Sequence, residues 1–277
     1  MNNAFLTRPP TEADILRLKL LISVFGDGFG NQRDGNNGTR ADWRQLERCV
    51  GEYVGSSGGE DKKIFDVVAP DELNPKLRYG ISVKSKQLSA SVFSSLSDGG
   101  RTYMEIANSP AKFWDVIREV LDLSEADFRA QKYPSEIGNL ILSTVERWHD
   151  EGKTEYELNN PGHTLDINNS CYFCISLSQP SDIVETRYQV HTFSLSYPKD
   201  LIWRYRSGKC LSGYDPAASD EAVIDWYALS GGQLKYYPRA RDSRFSSPVF
   251  TLLKPNPISI LGRAKEYFPE LSKKLGL

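Results

Sequence analysis

Residues 64–85, IFDVVAPDELNPKLRYGISVKS, predict two short strands joined by a loop with two prolines. Residues 63–68 (KIFDVV) form the first predicted strand, and residues 79–85 (YGISVKS) form the second. A third strand is predicted at residues 102–107 (TYMEIA), after a serine-rich loop. The pattern therefore predicts a β-sheet in the first half of the chain.

Polar side chains interrupt the apolar pattern of the first two strands. Because side chains alternate along a strand, Ser82 and Lys84 share one face, and Ile81 and Val83 share the other. Asp66 interrupts the first strand, where a buried carboxylate without a partner would be costly. A cation, a hydrogen-bond donor or a metal ion is therefore expected beside Asp66.

Two further acids stand out in the flanking segments. Glu47 lies inside the apolar arc of a helix predicted over residues 41–54, and Glu105 lies within the third strand. Taken one by one, strand acids are usually edge or salt-bridge residues, and a strand lysine usually extends along the sheet into water. Together with Asp66, however, these acids predict two or three carboxylates around the ammonium group of Lys84.

The order of four residues resembles the PD-(D/E)xK nuclease superfamily and, within it, the type II restriction endonucleases: Glu47, Asp66, Ser82 and Lys84. The resemblance covers about residues 40–115. It implies a restriction-endonuclease-like fold and the hydrolysis of phosphodiester bonds in double-stranded DNA, at a specific sequence and with Mg²⁺. For a palindromic target it also implies a homodimer, in which each subunit cuts one strand.

The resemblance implies a role for each residue. Asp66 would be the central Mg²⁺ ligand, and Lys84 would be the cation that positions the attacking water. Ser82 stands where the family usually has an acid, so it would supply only a hydroxyl or a water-mediated contact. Glu105, on the adjacent predicted strand, is the candidate for the missing carboxylate and second metal ligand, and Asp98 and Glu47 are weaker candidates.

The order of predicted elements indicates the fold class. A helix at residues 41–54 is followed by the strands, then by helices at residues 111–121 and 135–151, and mainly by strands after residue 170. This order predicts an α/β or α+β fold with a mixed central sheet, flanking helices and a β-rich C-terminal half.

The predicted domain organisation follows this order. Residues 1–160 are expected to form a catalytic core and residues 161–277 a β-rich DNA-recognition part, packed together as one unit. Residues 231–265 hold seven Lys or Arg and one acid, a local charge of about +6 in a chain of net charge −2. Basic residues interleaved with aromatic ones are typical of nucleic-acid contacts, although a solvated hairpin explains them equally well. The predicted DNA-binding residues are Arg33, Lys86, Gln87, Arg204, Arg206, Lys235, Arg239, Arg241 and Arg244.

Two other functions fit parts of the same pattern. Ser82 in place of an acid also fits a nucleic-acid-binding protein whose nuclease site is degenerate and inactive. The aromatic-rich strands fit a carbohydrate- or protein-binding β domain joined to a helical part. Retention of DNA binding in EDTA favours the first, and strong salt dependence of a DNA interaction disfavours the second.

Composition narrows the class of protein. The 277 residues are 39% hydrophobic with a net charge of −2, which indicates a folded globular chain. No apolar run approaches the roughly 20 residues that span a bilayer, so no membrane partner is expected. Four cysteines are too few for a disulfide scaffold, so the expected compartment is the cytoplasm. Cys171 and Cys174 lie in a predicted strand that turns them to opposite faces, which disfavours a zinc site.

Overall fold

The computed structural model describes residues 3–25, 32–33, 39–40, 42–56, 64–179, 185–253 and 260–277. The helices are α1 (Glu12–Ser23), α2 (Trp43–Tyr53), α3 (Ala90–Ser95), α4 (Pro110–Leu121), α5 (Glu125–Arg129), α6 (Pro134–Asn159), α7 (Ile260–Tyr267) and α8 (Pro269–Lys274). Of these helices in the described ranges, none combines the length and the apolar character needed to cross a membrane.

The strands fall into a short hairpin and two larger sheets. They are β1 (Gln32–Arg33), β2 (Thr39–Arg40), β3 (Val67–Pro70), β4 (Leu77–Gln87), β5 (Met104–Asn108), β6 (Thr164–Leu165), β7 (Cys171–Ser178), β8 (Glu185–Ser194), β9 (Ile202–Ser207), β10 (Cys210–Asp215), β11 (Ala218–Trp226), β12 (Gln233–Tyr236), β13 (Phe245–Ser246) and β14 (Phe250–Leu253).

The central sheet is mixed. Its strand order is β13-β8-β7-β4-β3, with β14 paired to β8 and β6 paired to β4. The β3–β4 and β7–β8 pairs are antiparallel, whereas β4 and β7 run parallel. The chain is therefore a mixed α/β protein with a mixed central sheet and flanking helices, as the order of elements predicted.

The second sheet is antiparallel and has the order β5-β12-β11-β10-β9. β5 is the third predicted strand, and it belongs to this sheet and not to the sheet of β3 and β4. Each sheet contains strands from both sides of residue 160, because β4 pairs with β7 and β5 pairs with β12. The proposed boundary at residue 160 therefore does not separate the two sheets.

Apolar side chains cover both faces of the central sheet. Ile81 and Val83 of β4 lie in a core that α1 and α2 complete. Phe65, Tyr172 and the residues of the second sheet lie in another core, which α4 and α6 complete. Ser82 and Lys84 project toward this second core, because residues alternate between the two faces of β4. Ser82 and Lys84 thus lie on the face of the central sheet that is turned toward α6 and the second sheet.

Local details differ from the expected pattern in four places. Asp42 caps α2, so this helix begins at Trp43 and not at residue 41, and Trp43 is 49% exposed on its first turn. The first strand of the hairpin begins at Val67, so Asp66 lies just outside it. Helix α3 forms inside the segment predicted as a serine-rich loop, and α8 lies in the region predicted to be mainly strands. Cys171 and Cys174 do lie in different cores, as alternation predicted.

Candidate functional site

The carboxylate of Asp66 ends the β3–β4 ladder. The backbone N–H of Asp66 donates to Ile81 O at 3.0 Å, which continues the antiparallel pairing by one bond. The N–H of Val83 then donates at 2.7 Å to Asp66 Oδ2 and not to a backbone carbonyl. The side chain therefore takes the place of a ladder acceptor, and this bond fixes its orientation at the sheet edge.

Three predicted residues converge at this point. Ser82 Oγ donates to Asp66 Oδ2 at 3.3 Å, and Lys84 Nζ lies 3.8 Å from the same oxygen. The side chains of Asp66 and Lys84 are 27% and 21% exposed, so both charges remain in contact with solvent. In the described part of the chain these contacts all involve Oδ2, which leaves Oδ1 for another cation.

Tight packing positions the residue before Asp66. Gly80 lies on the same face of β4 as Ser82, and a Cβ atom there would be 2.6 Å from three ring carbons of Phe65. The Phe65 ring therefore occupies the space above Gly80 and stacks on His149 of α6, with 5.9 Å between ring centres. Helix α6 thus supports the segment that carries the carboxylate.

His149 is a neighbour of the site that the sequence did not single out. Burial, and then the charge of Lys84, lower the pKa of His149 to about 4, so its imidazole is neutral near pH 7. It shares a hydrogen bond of 3.4 Å with the Tyr172 hydroxyl, which in turn is bonded to Tyr197. The neutral imidazole therefore does not compete with Lys84 for Asp66 as a second cation.

The other predicted acids lie on different elements. Glu105 is on β5 of the second sheet, opposite Lys235 of β12. Glu47 is on α2, which packs on the Ile81 and Val83 side of the central sheet. Within the described ranges, no group of three or more His, Cys, Asp or Glu side chains is arranged to hold a metal ion. The structure thus joins Asp66, Ser82 and Lys84, but among the residues it describes no three-carboxylate group forms there.

Two of the predicted lysines, Lys86 and Lys235, lie over tyrosine rings near the site. Lys86 Nζ lies 4.4 Å from the centre of the Tyr103 ring. Lys235 Nζ lies 5.5 Å from the same ring and 4.3 Å from the Tyr227 ring. Alternation along the third strand places Tyr103 and Glu105 on one face, so the sequence held a signal for Tyr103. Only the pairing of β12 with β5 brings Lys235 to this point.

The arginines predicted to bind DNA have different surroundings. Arg206 donates at 2.9 Å to Asp225, a carboxylate that is only 1% exposed. Arg244 donates to three backbone carbonyls, at distances of 2.7 to 3.4 Å. Arg204 lies over the Tyr214 ring at 5.4 Å. Arg206 and Arg244 therefore already hold parts of the protein together.

The remaining predicted residues lie elsewhere on the surface. Arg241 is exposed and lies 3.8 Å from Asp242. Arg239 is half-buried and forms an isolated β-bridge with Arg101. Gln87 lines a pocket at the end of β4. The side chain of Arg33 lies outside the described residues.

Comparisons with family models, with curated proteins and with solved structures gave no match to this chain. The chemistry of the site itself is therefore the basis on which its function is inferred.

Proposed function

We propose that the protein is a Mg²⁺-dependent endonuclease that cuts double-stranded DNA at a specific sequence, as type II restriction enzymes do. The observation that supports this proposal is the hairpin that holds Asp66, Ser82 and Lys84 together, with Lys84 Nζ 3.8 Å from Asp66 Oδ2. An acid and an ammonium that are adjacent and in contact with solvent are groups that can bind a metal ion, position water and stabilise charge in phosphodiester hydrolysis. The proposal extends to a restriction-endonuclease-like arrangement of the central sheet, a homodimer and a cytoplasmic location.

The residues present fit a hydrated magnesium ion. Mg²⁺ usually keeps several waters and is bound through one or two carboxylates together with the phosphates of its substrate. Asp66 would hold it through Oδ1, and Glu105 is the proposed second ligand from the neighbouring sheet. When bound, the ion supplies charge neutralisation at the phosphate and a lower pKa for its water.

The side chains of this hairpin have separate tasks in the proposed reaction. Ser82 and the Val83 N–H keep the Asp66 carboxylate in one orientation through Oδ2. Lys84 orients the attacking water and stabilises the negative charge that develops on the phosphate oxygens. Neutral His149 adds no positive charge beside Lys84, so the ammonium keeps Asp66 as its partner until the DNA binds.

The lysines next to the hairpin fit the strand that would be cut. Lys86 is the next residue after Lys84 on the same face of β4. The ammonium groups of Lys86 and Lys235 both lie near the Tyr103 ring. Ammonium groups neutralise backbone phosphates, and the half-buried Tyr103 ring offers a surface on which a base can stack. The proposed path of the DNA therefore runs from the hairpin toward β5 and β12.

The test is plasmid cleavage with Mg²⁺ by the wild type, Asp66→Ala and Lys84→Ala. We expect each substitution to lower the cleavage rate by at least about 100-fold, the contribution of a positioned acid–base group. Lys76→Ala, in the exposed loop of the same hairpin, is the matched control and should cut normally. Undiminished cleavage by both Asp66→Ala and Lys84→Ala would refute the proposed site.

A second candidate function is nucleic-acid binding by a degenerate nuclease site. It is favoured by Ser82 in place of an acid and by the lack of a three-carboxylate group among the described residues. In that case the protein binds DNA in EDTA and cuts no substrate with Mg²⁺ or Mn²⁺. Cleavage that Asp66→Ala abolishes would exclude this alternative.

A further inference from the structure

A polar pocket lies at the ends of two parallel strands of the central sheet. Because β4 and β7 run in the same direction, their C-terminal ends meet, and a cavity of about 580 Å³ opens there. Trp43 from the start of α2 forms one wall, with Lys86 and Gln87 of β4 and Gln179 after β7 around it. The volume is in the range of pockets that hold small organic ligands.

The aromatic wall of this pocket is accessible. Trp43 is 49% exposed, unlike Trp114, Trp203 and Trp226, which are buried. The guanidinium carbon of Arg44 lies 4.9 Å from the centre of the Trp43 ring. An indole that is half-exposed beside a cavity presents a flat surface on which another planar ring can stack.

The lining of the pocket also includes a side chain with a buried acceptor. Gln179 Oε1 is shielded from solvent and, within the described part of the chain, accepts no hydrogen bond. Leaving a buried acceptor unpaired is unfavourable, so turning the Gln179 side chain into the cavity, where its oxygen can accept from a ligand N–H group, is favoured. A planar ring that carries N–H groups at its edge can stack on Trp43 and donate a hydrogen bond to Gln179.

We propose that this pocket binds a nucleotide, with the base stacked on Trp43, the base edge at Gln179 and the phosphate at Lys86. Lys86 and Lys84 lie two residues apart on one face of β4, a spacing of about 7 Å, which is close to that of neighbouring phosphates on a DNA strand. Assigning this nucleotide to the DNA substrate rests on the proposed nuclease function. Its base is then one that has left the duplex stack.

Calorimetric titration with the four nucleoside monophosphates tests the pocket, and ribose 5-phosphate is the control ligand without a base. We expect at least one nucleotide to bind more tightly than ribose 5-phosphate. Trp43→Ala should weaken that binding by roughly 5- to 100-fold, the contribution of stacking on an aromatic side chain, whereas Trp43→Phe should retain most of it. Gln179→Leu should weaken it about tenfold, because it removes the acceptor.

Two results would overturn the proposal. One is the absence of nucleotide binding at millimolar concentrations, and the other is equal affinity for ribose 5-phosphate, which indicates an anion site only. Leu73→Ala, at a fully exposed position of the β3–β4 loop, is the control for a general effect of substitution and should bind as the wild type does.

A DNA titration identifies the source of the nucleotide. Asp66→Ala and Asp66→Ala/Trp43→Ala are compared for duplex binding, and weaker binding by the double variant supports a nucleotide of DNA. If nucleotides bind in a Trp43-dependent way but no DNA is bound or cut, the pocket takes free nucleotides and the nuclease function is refuted. If DNA is cut but no nucleotide binds and Trp43→Ala has no effect, the pocket proposal alone is refuted.

Discussion

Gly80→Ala is the most direct test of how packing positions the Asp66 carboxylate. The added Cβ atom would lie 2.6 Å from Cγ, Cδ1 and Cδ2 of Phe65, whereas ordinary contacts begin at 3.4 Å. The ring must therefore move by about 0.8 Å. It is buried and stacked on His149, so it has little space on its other side.

The displacement acts on the neighbouring residue. Asp66 is held by bonds to Ile81 and Val83, and a shift of Phe65 strains these bonds or moves the carboxylate away from Lys84. Overpacking of this kind lowers the free energy of unfolding by about 1–3 kcal/mol. If the proposed function holds, a misplacement near 1 Å lowers the rate of DNA cleavage by about 100-fold.

Urea denaturation and plasmid cleavage measure the two effects separately. Gly51→Ala is the matched control, because its Cβ would lie 3.8 Å from Val67 Cγ2, an ordinary contact. Since Gly51 is in α2, this change should leave the free energy of unfolding unchanged or raise it by up to about 1 kcal/mol. A Gly80→Ala protein as stable as the wild type would refute the argument that Phe65 fills this space.

Two further predictions concern stability. Arg206→Ala should lower the free energy of unfolding by about 1.5–3 kcal/mol, because it removes the cation beside buried Asp225. The control, Arg204→Ala on the same strand, should change it by less than about 0.5 kcal/mol. Equal effects of the two substitutions in urea denaturation would contradict this prediction. Burial, and then the charge of Lys84, lower the pKa of His149 from 6.5 to about 4. As the pH falls, the unfolded chain therefore binds the proton before the folded protein does. The free energy of unfolding should be unaffected by His149 above pH 6.5 and should fall by about 1–3 kcal/mol toward pH 4. His149→Phe should flatten the fall in urea midpoint over that range, and an unchanged slope would contradict the prediction.

The hairpin was predictable because its signal is local. Alternation along β4 placed Ser82 and Lys84 on one face, and the structure has them there, both in contact with Asp66. The exact end of the first strand was not predictable, since a side chain replaces a backbone acceptor at Asp66. Sequence periodicity cannot distinguish a ladder that ends in a side chain from one that continues.

Residues that depend on distant pairing were harder to predict. Glu105 lies in a strand as expected, but its sheet is decided by β12, more than a hundred residues later in the chain. His149 looks like any polar residue of a long helix until Phe65 is seen to stack on it. Composition also could not separate Arg206, which neutralises a buried carboxylate, from arginines such as Arg241 that remain exposed.

With Ser82 in place of an acid, the negative charge of Asp66 and the positive charge of Lys84 balance each other in the hairpin. A carboxylate at position 82 would lie beside Asp66 with Lys84 as the nearby cation, and two adjacent carboxylates repel each other. The Ser82 hydroxyl donates to Asp66 instead, so one acid faces one ammonium and these two charges balance without a metal ion. Under the proposed function, the phosphate of the DNA then supplies anionic oxygens that complete the Mg²⁺ site. A three-carboxylate group is therefore not required in the free protein, and metal binding should depend on the substrate.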